Sequence, residues 1–196
     1  MELKVDGRVR SLPSRVAQTG AGGPEEFWVE LENEVLRNGR VIETVIINGI
    51  PVYDSHLEVI ISNWPAIEKL EIVTVSQAEA RRRLAETLAS YLEGLVPHLE
   101  DVSSEFYLGA GQQAWKRFEQ LLVGLQWVVE GLQALGRSLP QALEGALAQS
   151  SQALRAAAKK LAEAVQERDE FLVGDLLRGE MAEQLALLRK VLSEVV

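Results

Sequence analysis

The sequence predicts an α+β protein in two parts: a small β-grasp-like domain over residues 1–75 and an antiparallel helical bundle of about four main helices over 76–196. Three observations predict it. Residues 1–75 hold short β-branched runs broken at Asp6-Gly7, Gly39 and Gly49, which is the punctuation of strands and tight turns. From residue 76 onward the apolar residues recur at three- and four-residue spacing, the period of amphipathic helices. Between the two, Ser76-x-x-Glu79 reads as a capping box that opens a helix where the last strand run stops.

In chain order, residues 2–5 and 8–10 read as a hairpin, because Asp6-Gly7 tolerates the positive φ values of a two-residue turn. Residues 18–23 (QTGAGG) read as a connection, since neither phosphate-binding glycine pattern is complete there. Residues 24–38 alternate at Phe27, Val29 and Leu31 but also recur at Phe27, Leu31 and Val35. Their ends favour a helix: Pro24, Glu25 and Glu26 suit its first turn, Arg37 its last, and Gly39 follows. Residues 40–48 (RVIETVIIN) read as a strand, and 51–53 as a second one after Gly49. Ser55-x-x-Glu58 is a capping box, followed by Leu57, Ile60, Ile61 and Trp64 at helical spacing and closed by Pro65. Residues 70–75 (LEIVTV) complete the strands. This order resembles the β-grasp layout of ubiquitin-like domains, in which a mixed sheet curls around one helix. The last strand runs straight into a helix, so the expectation is an adhesive module and not a carrier with a free diglycine tail.

In the second part, Leu84, Leu88, Tyr91, Leu92 and Leu95 form one stripe. Pro97 is expected to kink or end that helix, with a shorter continuation carrying Leu99, Val102, Phe106 and Tyr107 up to the Gly109-Ala110-Gly111 turn. Residues 112–135 are apolar on more than one stripe and are expected to form the most buried helix. Gly136 and Pro140 bracket the next turn. Residues 141–168 hold nine alanines around Leu147, Leu154, Leu161 and Val165, a composition that permits close helix approach and self-association. Residues 170–195 form the last helix, with Phe171, Val173, Leu177, Met181, Leu185, Leu188 and Leu192 expected to face inward.

Composition excludes several kinds of chemistry. The apolar fraction of 47% with 25% charged residues argues against global disorder. The absence of cysteine removes disulfides, thiolate catalysis, zinc knuckles and iron–sulfur ligation, and is compatible with a reducing cytoplasm. The opening MELKVDGRVR has no apolar core of a signal peptide, and the most apolar run, 121–132, is too short to span a bilayer. A cytoplasmic protein without membrane contact is therefore expected. The net charge of −9, with an acidic excess in both parts, supplies no basic surface for nucleic acid, and Arg81-Arg82-Arg83 spreads around its helix.

Positive signals are few. The two histidines, His56 and His98, have no Glu three positions before them, so the di-iron bundle pattern fails, and no nucleophile elbow is present. No cofactor or metal is expected. Trp115 and Phe118 with Trp127 could line a cleft, although aromatics at helical spacing usually fill core. One polar constellation stands out in the last helix: Asp169, Asp175, Arg178 and Glu180 beside Gly174 and Gly179. It reads either as a binding site for recognition or metal, or as an internal ion pair of Asp175 with Arg178 that fixes helix register, and the ion pair is the simpler reading.

The segments GRVIETVIINGIPV and IEKLEIVT within 39–74, FEQLLVGLQW at 118–127 and DEFLVGDLLRGE at 169–180 are similar to an uncharacterised family of Gram-positive-type bacterial proteins. In that family a small α/β domain precedes a bundle with an Asp-x-x-x-x-x-Asp-Leu-Leu-x-x-Glu segment. Gly179 stands where the pattern has a bulkier, often aromatic residue. The resemblance implies layout and no mechanism. The function expected is that of a non-enzymatic protein–protein interaction protein, an adaptor, assembly factor or chaperone-like bundle with a protein partner and a possible homodimer. A small-molecule sensor with a pocket in the bundle is the alternative, and an Asp/Glu-dependent enzyme comes third.

Overall fold

The computed structural model describes residues 1–11, 23–136 and 141–195, and the side chains of these except 141–143. The 18–23 connection apart from Gly23, and Pro140 of the expected turn, lie outside the described residues. The chain divides into two compact units, Met1–Ala80 and Arg81–Val196, each with its own apolar core.

The first unit is a five-stranded mixed sheet with one long helix. Strands β1 (Glu2–Val5) and β2 (Arg8–Arg10) form the first hairpin, α1 (Pro24–Arg37) follows, and β3 (Arg40–Ile47) pairs with β4 (Ile50–Val52) as the second. Helix α2 (His56–Asn63) and a 3₁₀ turn at Trp64–Ala66 lead into β5 (Lys69–Ser76). The strand order is β2-β1-β5-β3-β4, with β1 and β5 parallel in the middle and all other pairs antiparallel. This is the β-grasp arrangement. Helix α1 resolves its two periodicities in favour of the helical one: Phe27, Leu31 and Val35 are buried, whereas Val29 is 52% exposed. They pack with Leu3, Val45, Ile60, Leu70 and Ile72 into one core.

Both hairpin turns place two residues at positive φ, Asp6 (49°) with Gly7 (75°) and Asn48 (50°) with Gly49 (87°). Asn48, read as the end of a strand, therefore belongs to the turn. Its side chain shows why Asn stands there. Oδ1 accepts from the amides of Glu68 (2.9 Å) and Lys69 (3.0 Å), and Nδ2 donates to the Ala66 carbonyl (2.9 Å), fastening the turn to the start of β5. Asn48→Ala removes three hydrogen bonds and a residue that tolerates left-handed backbone, so it is expected to cost about 2 kcal/mol in chemical denaturation. Asn48→Gly should recover the backbone part alone.

At the other hairpin, Asp6 accepts from the Thr74 amide and the Thr74 hydroxyl, both at 2.8 Å, and faces Arg40 at 3.4 Å. Partial burial pulls its carboxyl up, but the Thr74 bonds and the Arg40 charge outweigh that and hold it below the ordinary carboxylate range. A depressed folded value means a contribution to stability that is complete above the unfolded value of about 3.9 and is lost as pH falls through the folded value. Asp6→Asn is expected to flatten the acid limb of the stability–pH curve by lowering the neutral-pH midpoint by the same amount, a small change because the carboxylate is part-exposed and screened.

The second unit begins along α3 (Gln77–Tyr107) and continues through α4 (Gln112–Gly136), α5 (Gln141–Glu167), α6 (Glu170–Leu176), a π-helical turn (Leu177–Met181) and α7 (Ala182–Ser193). Neighbours run antiparallel. Leu88 and Tyr91 of α3 meet Gly131 and Gly124 of α4 in reverse order, and Glu93 and Ser103 of α3 meet Arg189 and Gly174. Among the described residues no helix is long and apolar enough to cross a membrane.

Five local expectations are corrected. Of the two outcomes expected at Pro97 an end is excluded, since α3 runs through it as one helix. Pro97 lies on the exposed side between the buried Leu95 and Leu99, so the carbonyl it cannot bond faces water while the core face is held on both sides. The Ser55 capping box does not form: Ser55 has φ +48° and makes no side-chain cap bond, since a left-handed backbone turns the hydroxyl away from the helix amides. At the second box, Ser76 Oγ does accept from the Glu79 amide at 3.1 Å. The last helix is interrupted by the π turn, and Phe171 is 66% exposed, because residues two apart on a helix cannot both face inward with Val173 buried. Finally, α4 does not bury its surplus apolar positions. One stripe through Phe118, Leu121, Leu125, Val128 and Leu132 is buried, while Leu122 (42%), Val123 (70%) and Trp127 (41%) are exposed.

Candidate functional site

The four polar residues singled out in the last helical segment are not brought together. Asp169 caps α6, its Oδ1 accepting from the Leu172 amide at 3.0 Å. Asp175 is exposed, on the solvent side of α6 and not in the interior, and accepts the hydroxyl hydrogen bond of Tyr107. Arg178 is exposed and forms no ion pair with Asp175. Glu180 receives Lys160 Nζ on both oxygens, at 2.7 and 2.8 Å. Each carboxylate thus has its own partner: Asp169 the first turn of its own helix, Asp175 a residue of α3 and Glu180 a residue of α5. Among the described residues no group of three His, Asp or Glu side chains is placed to hold a metal ion.

What the segment does build is a close helix contact. The Gly174 carbonyl accepts from the Ser103 hydroxyl at 2.9 Å, and Ser103 is fully buried. A Cβ on Gly174 would meet the Ser103 carbonyl oxygen and the Tyr107 ring at 3.3 Å. The Tyr107 phenol is raised above its ordinary range, first by donating to Asp175, then by desolvation and the Asp175 charge, against the opposing pull of Ser103 and Arg178. It remains a donor at neutral pH. Gly179 has open space where a side chain would stand, so the π turn could carry a larger residue.

The histidines are structural neighbours. His56 Nε2 lies 3.0 Å from the Val52 carbonyl and its ring tilts against Trp28. His98 lies 3.5 Å from Arg117, which also pairs with Glu105 and, at 3.8 Å, with Asp101. Of the aromatics, Trp115 and Phe118 pack edge-on around Phe106 in the core, whereas Trp127 stands apart, edge-on to Tyr91 with centroids 4.9 Å apart.

The feature that residue-by-residue reading missed is a groove between α4 and α5. It holds about 520 Å³ and is lined by Phe118, Leu122, Leu125, Val129, Leu161 and Val165, with Ala158 and Ala162 in its wall. A second stretch of about 470 Å³ continues it toward Gly136 and Glu144. Its sequence signal was the part of the surplus apolar stripe of α4 that carries Leu122 and Val129, whereas Val123 and Trp127 lie outside the groove. That stripe was read as extra burial, but α5 meets it with alanines, which are too short to close over it.

Residues 83–191 match the model of a family described as a domain of unknown function (DUF8042), and the match spans more than half of the chain. No curated protein and no solved structure matches the chain.

Proposed function

We propose that this chain, which belongs to the DUF8042 family, is a non-enzymatic protein–protein interaction protein that receives its partner in the groove between α4 and α5. The observation that carries the reading is the groove itself: an open, carbon-lined channel on a helical unit, flanked by the half-exposed Leu122. A partner seated in it would take this carbon lining out of water. The polar lining is Gln126, Arg155 and Gln166 in the first stretch and Gln133, Glu144 and Ser151 in the second, and among the described residues these form no hydrogen-bonded nucleophile–base pair.

The test is cross-linking in lysate with the wild-type chain and with Ala162→Trp, which fills the groove from an exposed position. A partner captured by the wild type should be lost with Ala162→Trp and retained with Val29→Glu, an exposed change in the other unit. Capture that is indifferent to Ala162→Trp would overturn the assignment.

A further inference from the structure

The two stretches of the groove share Val129, Leu154 and Arg155, so they form one path along α5 from Glu144 to Gln166. At the helical rise of about 1.5 Å per residue that path is about 33 Å long, the length of a helix of about 20 residues. A small ligand would leave most of it empty, and an extended strand would find no free backbone edge on two helices. The small wall residues Ala148, Ala158 and Ala162 let another helix approach closely.

Charge then specifies the occupant. Arg155 sits at the junction of the two stretches, and among the described residues it makes no hydrogen bond or ion pair. No acidic residue stands three or four positions from it on α5, so its helix supplies no counter-ion. Glu144 lines the far end of the same path, about three helical turns from Arg155. A cation without a partner among the described residues, midway along an apolar channel with an anion at one end, is complementary to the opposite pattern.

Resting on the reading of this groove as the interaction surface, we infer that it takes one amphipathic helix of a partner protein. The apolar stripe of that helix carries a central Asp or Glu that pairs with Arg155 and a Lys or Arg about three turns away that meets Glu144. Helix-in-groove docking of this kind draws affinity from apolar anchors at i, i+3/i+4 and i+7, and direction from the charges.

The test uses the full chain and fluorescein-labelled helical peptides of about 20 residues with a Leu stripe, differing only in a central Glu, Gln or Lys. By fluorescence anisotropy the Glu peptide should bind about tenfold tighter than the Lys peptide. The preference should reverse with Arg155→Glu, an exposed substitution, and all binding should fall with Ala162→Trp. Equal affinity for the three peptides would overturn the charge assignment. Absence of peptide binding while lysate capture stays sensitive to Ala162→Trp would overturn the helical occupant and leave the groove as the interaction surface. Insensitivity of that capture to Ala162→Trp would remove the groove reading itself. Saturable, Arg155-dependent binding of dodecanoate without peptide binding would assign the channel to a fatty acid, and a dimer in sedimentation that Arg155→Glu dissolves would assign it to a second copy; either overturns the inference.

Discussion

Phe106→Ala is expected to destabilise the helical unit by about 4 kcal/mol. Phe106 is 1% exposed and is the hub of three rings: Trp115 stands edge-on at 5.0 Å, Phe118 at 5.7 Å, and these two are 5.8 Å from each other. Its removal deletes the transfer energy of a buried ring and leaves a cavity that two rigid neighbours, fixed on α4, cannot close. It also removes two edge-to-face contacts of about 1 kcal/mol each. Since a domain of this size is stable by only about 5–15 kcal/mol, the variant should begin to unfold at low urea. Helical circular dichroism against urea reads this, because most of the helix lies in that unit. Phe106→Leu, which keeps most of the volume, should cost about 1.5 kcal/mol. A loss under 1 kcal/mol for the alanine variant would show that α3 and α4 are not held together by this cluster.

The same cluster shows what the sequence makes legible. Phe106, Trp115 and Phe118 declare themselves by helical spacing, and their pairing follows once α3 and α4 are joined by a short glycine turn. The β-grasp order was readable for a related reason. Two hairpins announced by Asp6-Gly7 and Gly49, a helix between them and a final apolar strand leave few ways to close a mixed sheet. What stayed hidden depends on distances between elements. Ser55 has the letters of a capping residue, but the tight β4–α2 connection sets its backbone left-handed. Pro97 has the letters of a helix end, but flanking core contacts hold the helix through it. The groove was hidden most deeply, because whether a second apolar stripe is buried depends on what stands opposite. On α5 that is Ala158 and Ala162, whose shortness was read as a licence for close packing. The same shortness leaves a channel when the facing helix brings no side chain to fill it.

The polar segment of the last helix is legible in the sequence as unusual, and Gly174→Val separates what its backbone does from what its charges do. We expect this substitution to cost about 3 kcal/mol, while Asp175→Asn leaves the unfolding midpoint essentially unchanged. The first methyl group on Gly174 already lies 3.3 Å from the Ser103 carbonyl oxygen and from the Tyr107 ring, and the branched methyls of valine have nowhere to go but into α3. Relief by moving α6 outward stretches the 2.9 Å bond from the Ser103 hydroxyl to the Gly174 carbonyl. Ser103 is fully buried, so a hydroxyl stripped of that acceptor costs about 1–3 kcal/mol, in addition to overpacking of about 1–3 kcal/mol. The gain in helix propensity from replacing glycine, under about 1 kcal/mol, offsets only part of this. Asp175 stands next to that contact but faces solvent, and its bond from Tyr107 is exchangeable with water. Thermal unfolding of the two variants separates the roles: a costly Gly174 beside an indifferent Asp175 means the segment is built around backbone proximity, with its charges left over for the surface. Should Asp175→Asn prove the more damaging change, the carboxylate would be the organising element and the register-fixing role of this segment would return to its charges.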